Sequence, residues 1–162
     1  MMPVALSLLV SLPSWSADFD ANYDANYDKG MAAYERGDYV AALREWTQLA
    51  EQGDAIAQFN LGVMFEKGQG IGQDFGQAVK WYRRAAEQGD AMAQNNLGWM
   101  YELGGGVVED YVTAHMWGNI ARANGNDSGK LLDHLETKMS KDQIVRSQQR
   151  ASDCLANQYK NC

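Results

Sequence analysis

The sequence predicts an all-α protein: an α/α superhelical solenoid of about eight helices, in which helical hairpins stack side by side. Residues 53–62 return almost unchanged as residues 89–98, which is 36 positions later. A fixed period of this length indicates supersecondary units that each bury an apolar face on the next unit. Both prolines, Pro3 and Pro13, lie close to the first residue, and the proline-free remainder suits consecutive helices.

Glycine followed by aspartate separates the predicted helices. The pairs at 37–38, 53–54 and 89–90 each place a glycine, which readily ends a helix, before an aspartate, which caps the next one. Asp74 and Asp110 precede the second helix of their own pairs in the same way. The predicted helices span residues 22–36, 38–52, 55–67, 74–88, 91–103, 110–124, 127–139 and 141–158, the last of them starting at a capping box, Ser140 to Gln143.

Small and large residues alternate on the predicted helices at helical spacing. Gly62 and Gly98 lack a Cβ, so we expect the partner helix to approach closely there. The recurring Asn60 and Asn96 are expected to form hydrogen bonds between helices. The larger aromatic side chains at this spacing are interpreted as stacking core: Trp46, Trp81, Tyr82, Tyr111 and Trp117.

The charge of the chain disfavours one class of partner. The 162 residues carry a net charge of −7, with a sequence pI near 4.7, which argues against nucleic acid. A calcium loop suggested by the acidic run at residues 18–22 fails, because Tyr23 and Lys29 stand where such a loop needs a glycine and a glutamate. The better interpretation is an acidic entry to the first helix, since carboxylates stabilise a helix N-terminus.

Residues 1–16 predict a signal peptide. An uncharged apolar run at residues 4–10 precedes a cleavage site with small residues near Ser16. This run is too short to span a membrane. A basic segment normally comes first, yet no Lys or Arg occurs before Lys29, so either translation starts further upstream or the leader is a weak one. We expect a periplasmic or secreted protein.

Cysteine usage agrees with export. Cys154 and Cys162 are the only cysteines, eight residues apart. In an exported protein a lone pair is most simply a disulfide, here one that ties the tail back onto the last helix. A reactive or metal-binding pair is disfavoured, because the spacing is not C-x-x-C and no histidine is adjacent.

The repeated segments resemble the Sel-1-like repeat family, a relative of tetratricopeptide repeats. They carry the family's Ala-x-Ala-Gln-x-x-Leu-Gly-x-Met-Tyr helix, its Gly-x-Gly-Val loop and its Asp-Tyr-x-x-Ala-x-x-Trp helix. The matching residues are 55–65, 68–71 and 74–81 in one copy, and 91–101, 104–107 and 110–117 in the next. The unit around residues 30–46 departs from the pattern, with tetratricopeptide spacing and a shorter loop.

This resemblance implies a domain organisation and a function. It implies repeats over residues 17–125, in units near 22–53, 54–89 and 90–125, followed by capping helices and a disulfide-tied tail over residues 126–162. The concave face, lined by the first helix of each pair, would bind a protein or peptide. The protein is then expected to be a non-catalytic envelope or secreted adaptor, a monomer or weak oligomer without cofactor or metal.

Helix geometry selects the residues that should face this groove: positions one, four and five after the repeat glycine. They are Met31, Tyr34, Glu35, Val63, Glu66, Lys67, Trp99, Glu102 and Leu103. Trp99 stands out, because its counterpart is Val63 and the repeat requires no indole there. An exposed tryptophan is a common interface anchor, whereas the alternative is packing against the following helix pair. Arg83 and Arg84 are interpreted as a solvated pair on the convex side.

An enzyme is the alternative function, since a cysteine-rich branch of the family carries a β-lactamase or penicillin-binding label. The chain has no Ser-x-x-Lys, Ser-Asp-Asn, Lys-Thr-Gly or Gly-x-Ser-x-Gly motif, and no cysteine pair in each repeat. His115 and His134 lack a paired ligand pattern and are interpreted as solvated or core histidines. The sequence therefore favours a binding module.

Overall fold

A computed structural model describes residues 15–160 and 162, with side chains from residue 25 onwards. Most of the predicted signal peptide, residues 1–16, lies outside the described residues, so its cleavage stays a prediction. Among the described residues none of the helices combines the length and apolar character that a bilayer span requires.

The described part of the chain is all helical, with eight helices and no strand, as predicted. The helices are α1 (Trp15–Glu35), α2 (Tyr39–Glu51), α3 (Ala55–Lys67), α4 (Phe75–Ala86), α5 (Ala91–Leu103), α6 (Tyr111–Ala123), α7 (Gly129–Glu136) and α8 (Lys141–Ala156). Their bounds follow the predicted ones closely, except that α1 starts at residue 15 instead of 22. No proline or glycine lies between residues 15 and 22, so no helix breaker delays the start of α1.

Side-chain caps fix where the helices begin. Five aspartates accept a hydrogen bond from the backbone N–H three residues later, which satisfies a donor that the helix itself leaves free. They are Asp38 (3.1 Å), Asp54 (2.6 Å), Asp74 (2.9 Å), Asp90 (2.7 Å) and Asp110 (3.0 Å). The predicted capping box is also present, with reciprocal bonds between Ser140 and Gln143.

A buried glutamine joins each repeat to the one before it. Gln58 on α3 donates to the carbonyl oxygen of Ala50 at the end of α2, over 3.0 Å, and accepts from the side chain of Gln88 over 2.8 Å. One repeat later, Gln94 on α5 donates to the carbonyl of Ala86 over 3.0 Å and accepts from Asn124 over 2.9 Å. We call these two equivalent sets of bonds the glutamine clamps.

The asparagines that the sequence selected for this role behave differently. Asn96 interacts with the hydroxyl of Tyr82 on α4, an interaction between helices of the expected kind. The side-chain N–H group of Asn60 is buried and has no partner among the described residues. The expectation is therefore wrong for Asn60, because the glutamine two positions earlier reaches the preceding helix instead.

The repeat glycines allow close packing, but they receive different neighbours in the two copies. A Cβ on Gly62 would lie 2.5 Å from the ring of Tyr82, which is fully buried. Position 118 is the counterpart of Tyr82 one period later, and there the residue is glycine. A Cβ on Gly98 would instead lie 2.6 Å from Leu131 of α7. The loss of one aromatic ring thus makes room for the C-terminal helix pair.

The C-terminal pair is held by buried polar contacts and a disulfide. His115 on α6 is 1% exposed, and its Nδ1 lies 2.7 Å from the hydroxyl of Ser147 on α8. Its Nε2 lies 3.5 Å from a carboxylate oxygen of Glu136 on α7. Cys154 and Cys162 form the predicted disulfide between the last helix and the tail.

The glutamine clamp can be tested by the substitution Gln94→Met, which keeps the length of the side chain and removes both bonds. We expect the free energy of unfolding to fall by about 1–3 kcal/mol, because two hydrogen bonds of the buried amide are lost, while the carbonyl of Ala86 keeps its bond from the N–H of Gly89. Urea denaturation would measure it, with Gln148→Met on the exposed face of α8 as the control. Equal stability of wild type and Gln94→Met would contradict the role of the clamp.

His115 makes the stability of the C-terminal helix pair, α7 and α8, depend on pH. Burial lowers the pKa of His115 from its ordinary 6.5, against the opposing influence of Glu136. The unfolded chain therefore takes up this proton first as the pH falls. Stability should be full above about pH 6.5 and should decrease below it, by at most about 1.4 kcal/mol per pH unit.

The variant His115→Gln, neutral at every pH, should lose this decrease between about pH 6.5 and 5. Urea unfolding of both proteins across that range measures the two slopes, whatever the absolute stability of the variant. Parallel slopes would assign the dependence to other groups.

Candidate protein-binding groove

An apolar depression lies between the first helices of the first two units. It has a volume of about 280 Å³ and is lined by residues from α1, α2 and α3. They are Met31, Tyr34, Trp46, Phe59, Asn60, Val63 and Lys67, and we call this depression the groove.

Aromatic rings form one side of the groove. The ring centroid of Tyr34 lies 5.5 Å from that of Trp46 and 5.2 Å from that of Tyr39. The hydroxyl of Tyr34 donates to Gln69 in the α3–α4 loop over 3.0 Å, which fixes the orientation of the ring. These contacts hold the apolar surface in place before any ligand arrives.

Two buried donors of the groove residues have no partner among the described residues: the indole Nε1 of Trp46 and the side-chain Nδ2 of Asn60. Trp46 is only 2% exposed and lies directly over Gly30, where any Cβ would collide with the indole. Asn95 and Trp117, which do not line the groove, also have a buried polar atom without a partner among the described residues, so such atoms do not by themselves mark a binding site.

Four of the nine predicted groove residues line the groove: Met31, Tyr34, Val63 and Lys67. Glu35 is exposed at the end of α1 and is not among the lining residues. Glu66 lies towards α4, where its carboxylate accepts the hydroxyl of Tyr82 over 2.5 Å. Burial first, and then this carboxylate, raise the pKa of Tyr82 far above its ordinary value.

The three predicted residues of the third unit do not continue the groove. Trp99 is half-buried and packs against the cluster formed by Leu131, Leu135 and their neighbours, with its ring 6.1 Å from that of His134. The expectation that Trp99 faces an open groove is therefore wrong, because α7 packs on it. Leu103 is 67% exposed and lies outside the lining residues.

The expectation that Glu102 faces the groove is also wrong, because Glu102 is only 4% exposed. Its carboxylate accepts from His134 Nε2 over 2.8 Å and from Lys138 Nζ over 2.7 Å. Burial alone would raise the pKa of Glu102, but the bonds and charges of these two partners outweigh it and lower the pKa. The carboxylate of Glu102 thus holds α7 and the turn after it against α5, and it is not available to a ligand.

Sequence reasoning missed three lining residues: Trp46, Phe59 and Asn60. Phe59 carried a signal, because its counterpart in the next repeat is Asn95, a polar residue. Phe59 also packs against the core, with its ring 5.9 Å from that of Tyr82, so this departure from the repeat serves both the packing and the groove wall. Trp46 was correctly predicted to be core, but it also forms part of the groove wall.

One cluster has the residue types of a hydrolytic triad: Ser147, His115 and Glu136. Ser147 is fully buried, and its hydroxyl also donates to the carbonyl of Ile144 over 2.7 Å. A nucleophile must be reachable by its substrate, and this hydroxyl is not. The contacts of the cluster join α6, α7 and α8.

Comparison with known proteins agrees with the helical repeats. The family model described as Sel1 repeat matches residues 55–90 and 91–126. Among curated proteins, none matches the chain. The solved structure of c5321, a protective antigen of uropathogenic Escherichia coli with an SLR fold, is similar with a TM-score of 0.79 and 27% identity over 88% of this chain. The chain spans only 32% of the length of that antigen.

A second solved structure is matched over nearly its full length. The Sel1 repeat protein from Oxalobacter formigenes is 33% identical, with a TM-score of 0.62, over 75% of this chain and 99% of its own. Together with the two matched repeats and the eight described helices, this similarity shows that the chain belongs to the Sel1 repeat family.

Proposed function

We propose that this Sel1 repeat protein is a non-catalytic adaptor that binds a peptide or protein segment in the groove between α1 and α3. Sel1 repeats typically mediate interactions between proteins, and the groove supplies a surface for one. The observation that carries the proposal is the apolar lining of the groove beside the fixed aromatic pair of Tyr34 and Trp46.

The chemistry of the groove suits a peptide. Met31, Phe59 and Val63 offer apolar surface for a side chain of the ligand. Lys67, exposed at the edge, could pair with a carboxylate of the ligand. The aromatic contacts of Tyr34 order this surface in advance, so little conformational entropy is lost on binding.

We further propose that the protein acts in the bacterial cell envelope or in the secreted fraction. The disulfide between Cys154 and Cys162 supports an oxidising compartment. The apolar, uncharged residues 1–16 support export, and the similar antigen comes from uropathogenic Escherichia coli. Fractionation of cells that express the tagged full chain would test this location.

The groove is tested by a charge placed inside it. Met31→Asp should weaken binding of a groove ligand at least about tenfold, since a carboxylate would have to be desolvated beside apolar groups. Ligands would first be selected from a random peptide library on the wild-type protein and confirmed by calorimetry. Val40→Asp is the matched control, because Val40 is 66% exposed on α2 and does not line the groove.

Two results would contradict the proposal. One is unchanged affinity of the selected peptides for Met31→Asp with its helix content intact. The other is an equal loss in Val40→Asp, which would point to a general effect of charge.

The substitution Trp99→Ala distinguishes a role in peptide binding from a role in packing the C-terminal helices α7 and α8. Because Trp99 packs against α7, the truncation should lower the free energy of unfolding by about 1–3 kcal/mol, less than for a fully buried indole. Affinity for the selected peptides should stay within about twofold of wild type. Thermal melting and calorimetry measure the two effects; weakened binding at unchanged stability would return Trp99 to the binding surface.

A further inference from the structure

We propose that a second surface, a cleft between the end of α4 and the disulfide-tied tail, binds the carboxylates of an acidic peptide segment. The cleft has a volume of about 630 Å³ and shares no lining residue with the groove. Its lining includes three cationic side chains, Arg83, Arg84 and Lys160, and the anionic side chain of Glu87. The site is thus locally positive in a chain whose net charge is −7.

Both guanidinium groups are positioned by neighbouring aromatic rings. Arg84 lies 4.7 Å from the ring centroid of Trp81, a contact that orients the guanidinium without using its N–H donors. Arg83 lies over the ring of Tyr101 and donates to its hydroxyl. Among the described residues no carboxylate forms an ion pair with either arginine or with Lys160. The donors of Arg84 and Lys160 are therefore available to a ligand.

The tail forms a fixed wall of the cleft. Gln158 and Tyr159 have φ values of 53° and 62°, a left-handed backbone that costs residues with side chains about 1–3 kcal/mol each. The hydroxyl of Tyr159 donates to Asn124 over 3.1 Å, and its ring packs against the turn at Gly89. The disulfide of Cys162 joins the end of the tail to α8. Covalent and polar contacts thus keep this segment against the end of α4.

The lining favours a peptide over a dense polyanion. The planar guanidinium of Arg84 matches a carboxylate with two parallel hydrogen bonds. The exposed amide of Gln158 can donate to and accept from a peptide backbone. Glu87 and the negative charge of the whole chain repel ligands with closely spaced charges, such as nucleic acid. Carboxylates separated by neutral residues fit this balance.

The probe is a fluorescent Gly-Glu-Gly-Glu-Gly peptide, titrated with the full chain at low ionic strength and followed by anisotropy. Arg84→Gln and Lys160→Gln should each weaken its binding about two- to fivefold, the range expected for exposed ion pairs. Lys80→Gln is the matched control, since Lys80 is exposed on the same helix and does not line the cleft. The neutral Gly-Gln-Gly-Gln-Gly peptide should bind much more weakly.

The wall is tested by replacing both cysteines, Cys154→Ser and Cys162→Ser, in one variant. Its affinity for the acidic peptide should fall by a similar factor while the helix content by circular dichroism is retained; unchanged affinity would overturn the role of the tail. An equal loss in Lys80→Gln, equal binding of the neutral peptide, or absence of binding would overturn the site. Inorganic phosphate that competes as well as the peptide would overturn the assignment to peptide carboxylates.

Discussion

The stacking of this protein depends on satisfying the buried side-chain amides of Gln58 and Gln94. These amides are 4% and 0% exposed, so their hydrogen-bond partners must come from the protein. Gln58 and Gln94 supply one donor each, to Ala50 and Ala86, and accept a bond from the turn that follows the next helix. Because a buried amide without partners destabilises the folded state by about 1–3 kcal/mol, each unit requires its neighbour in register.

The surface features of this protein arise at the positions where the two copies of the repeat differ. Packing requires the clamps, the capping aspartates and the helix glycines, and these recur. Phe59 and Asn95 differ, and only the first lines the groove. Tyr82 and Gly118 differ as well: the ring covers Gly62, whereas the glycine admits α7. The departures from the repeat therefore decide where the surface is open and where the cap closes it.

The difference between positions that recur and positions that depart from the repeat explains what the sequence could predict. Helix bounds, caps and the disulfide rest on local chemistry or on the period, so apart from the start of α1 they were predictable within a few residues. The end of the groove was not, because α7 carries no repeat residue and its contact with Trp99 follows from the shape left by Gly118. The role of the buried amide was assigned to Asn60 instead of Gln58, since both recur and only the geometry shows which one reaches α2.

The groove and the cleft at the end of α4 meet on α3 at consecutive residues, since Gln58 lines the cleft and Phe59 lines the groove. The amide of Gln58 already bonds Ala50 and Gln88, so it is a fixed floor of the cleft and not a mobile contact. A ligand in the cleft would gain its affinity from Arg84 and Lys160, with the clamp left intact. Two ligands could then occupy the two surfaces without either one disturbing the stacking of the units.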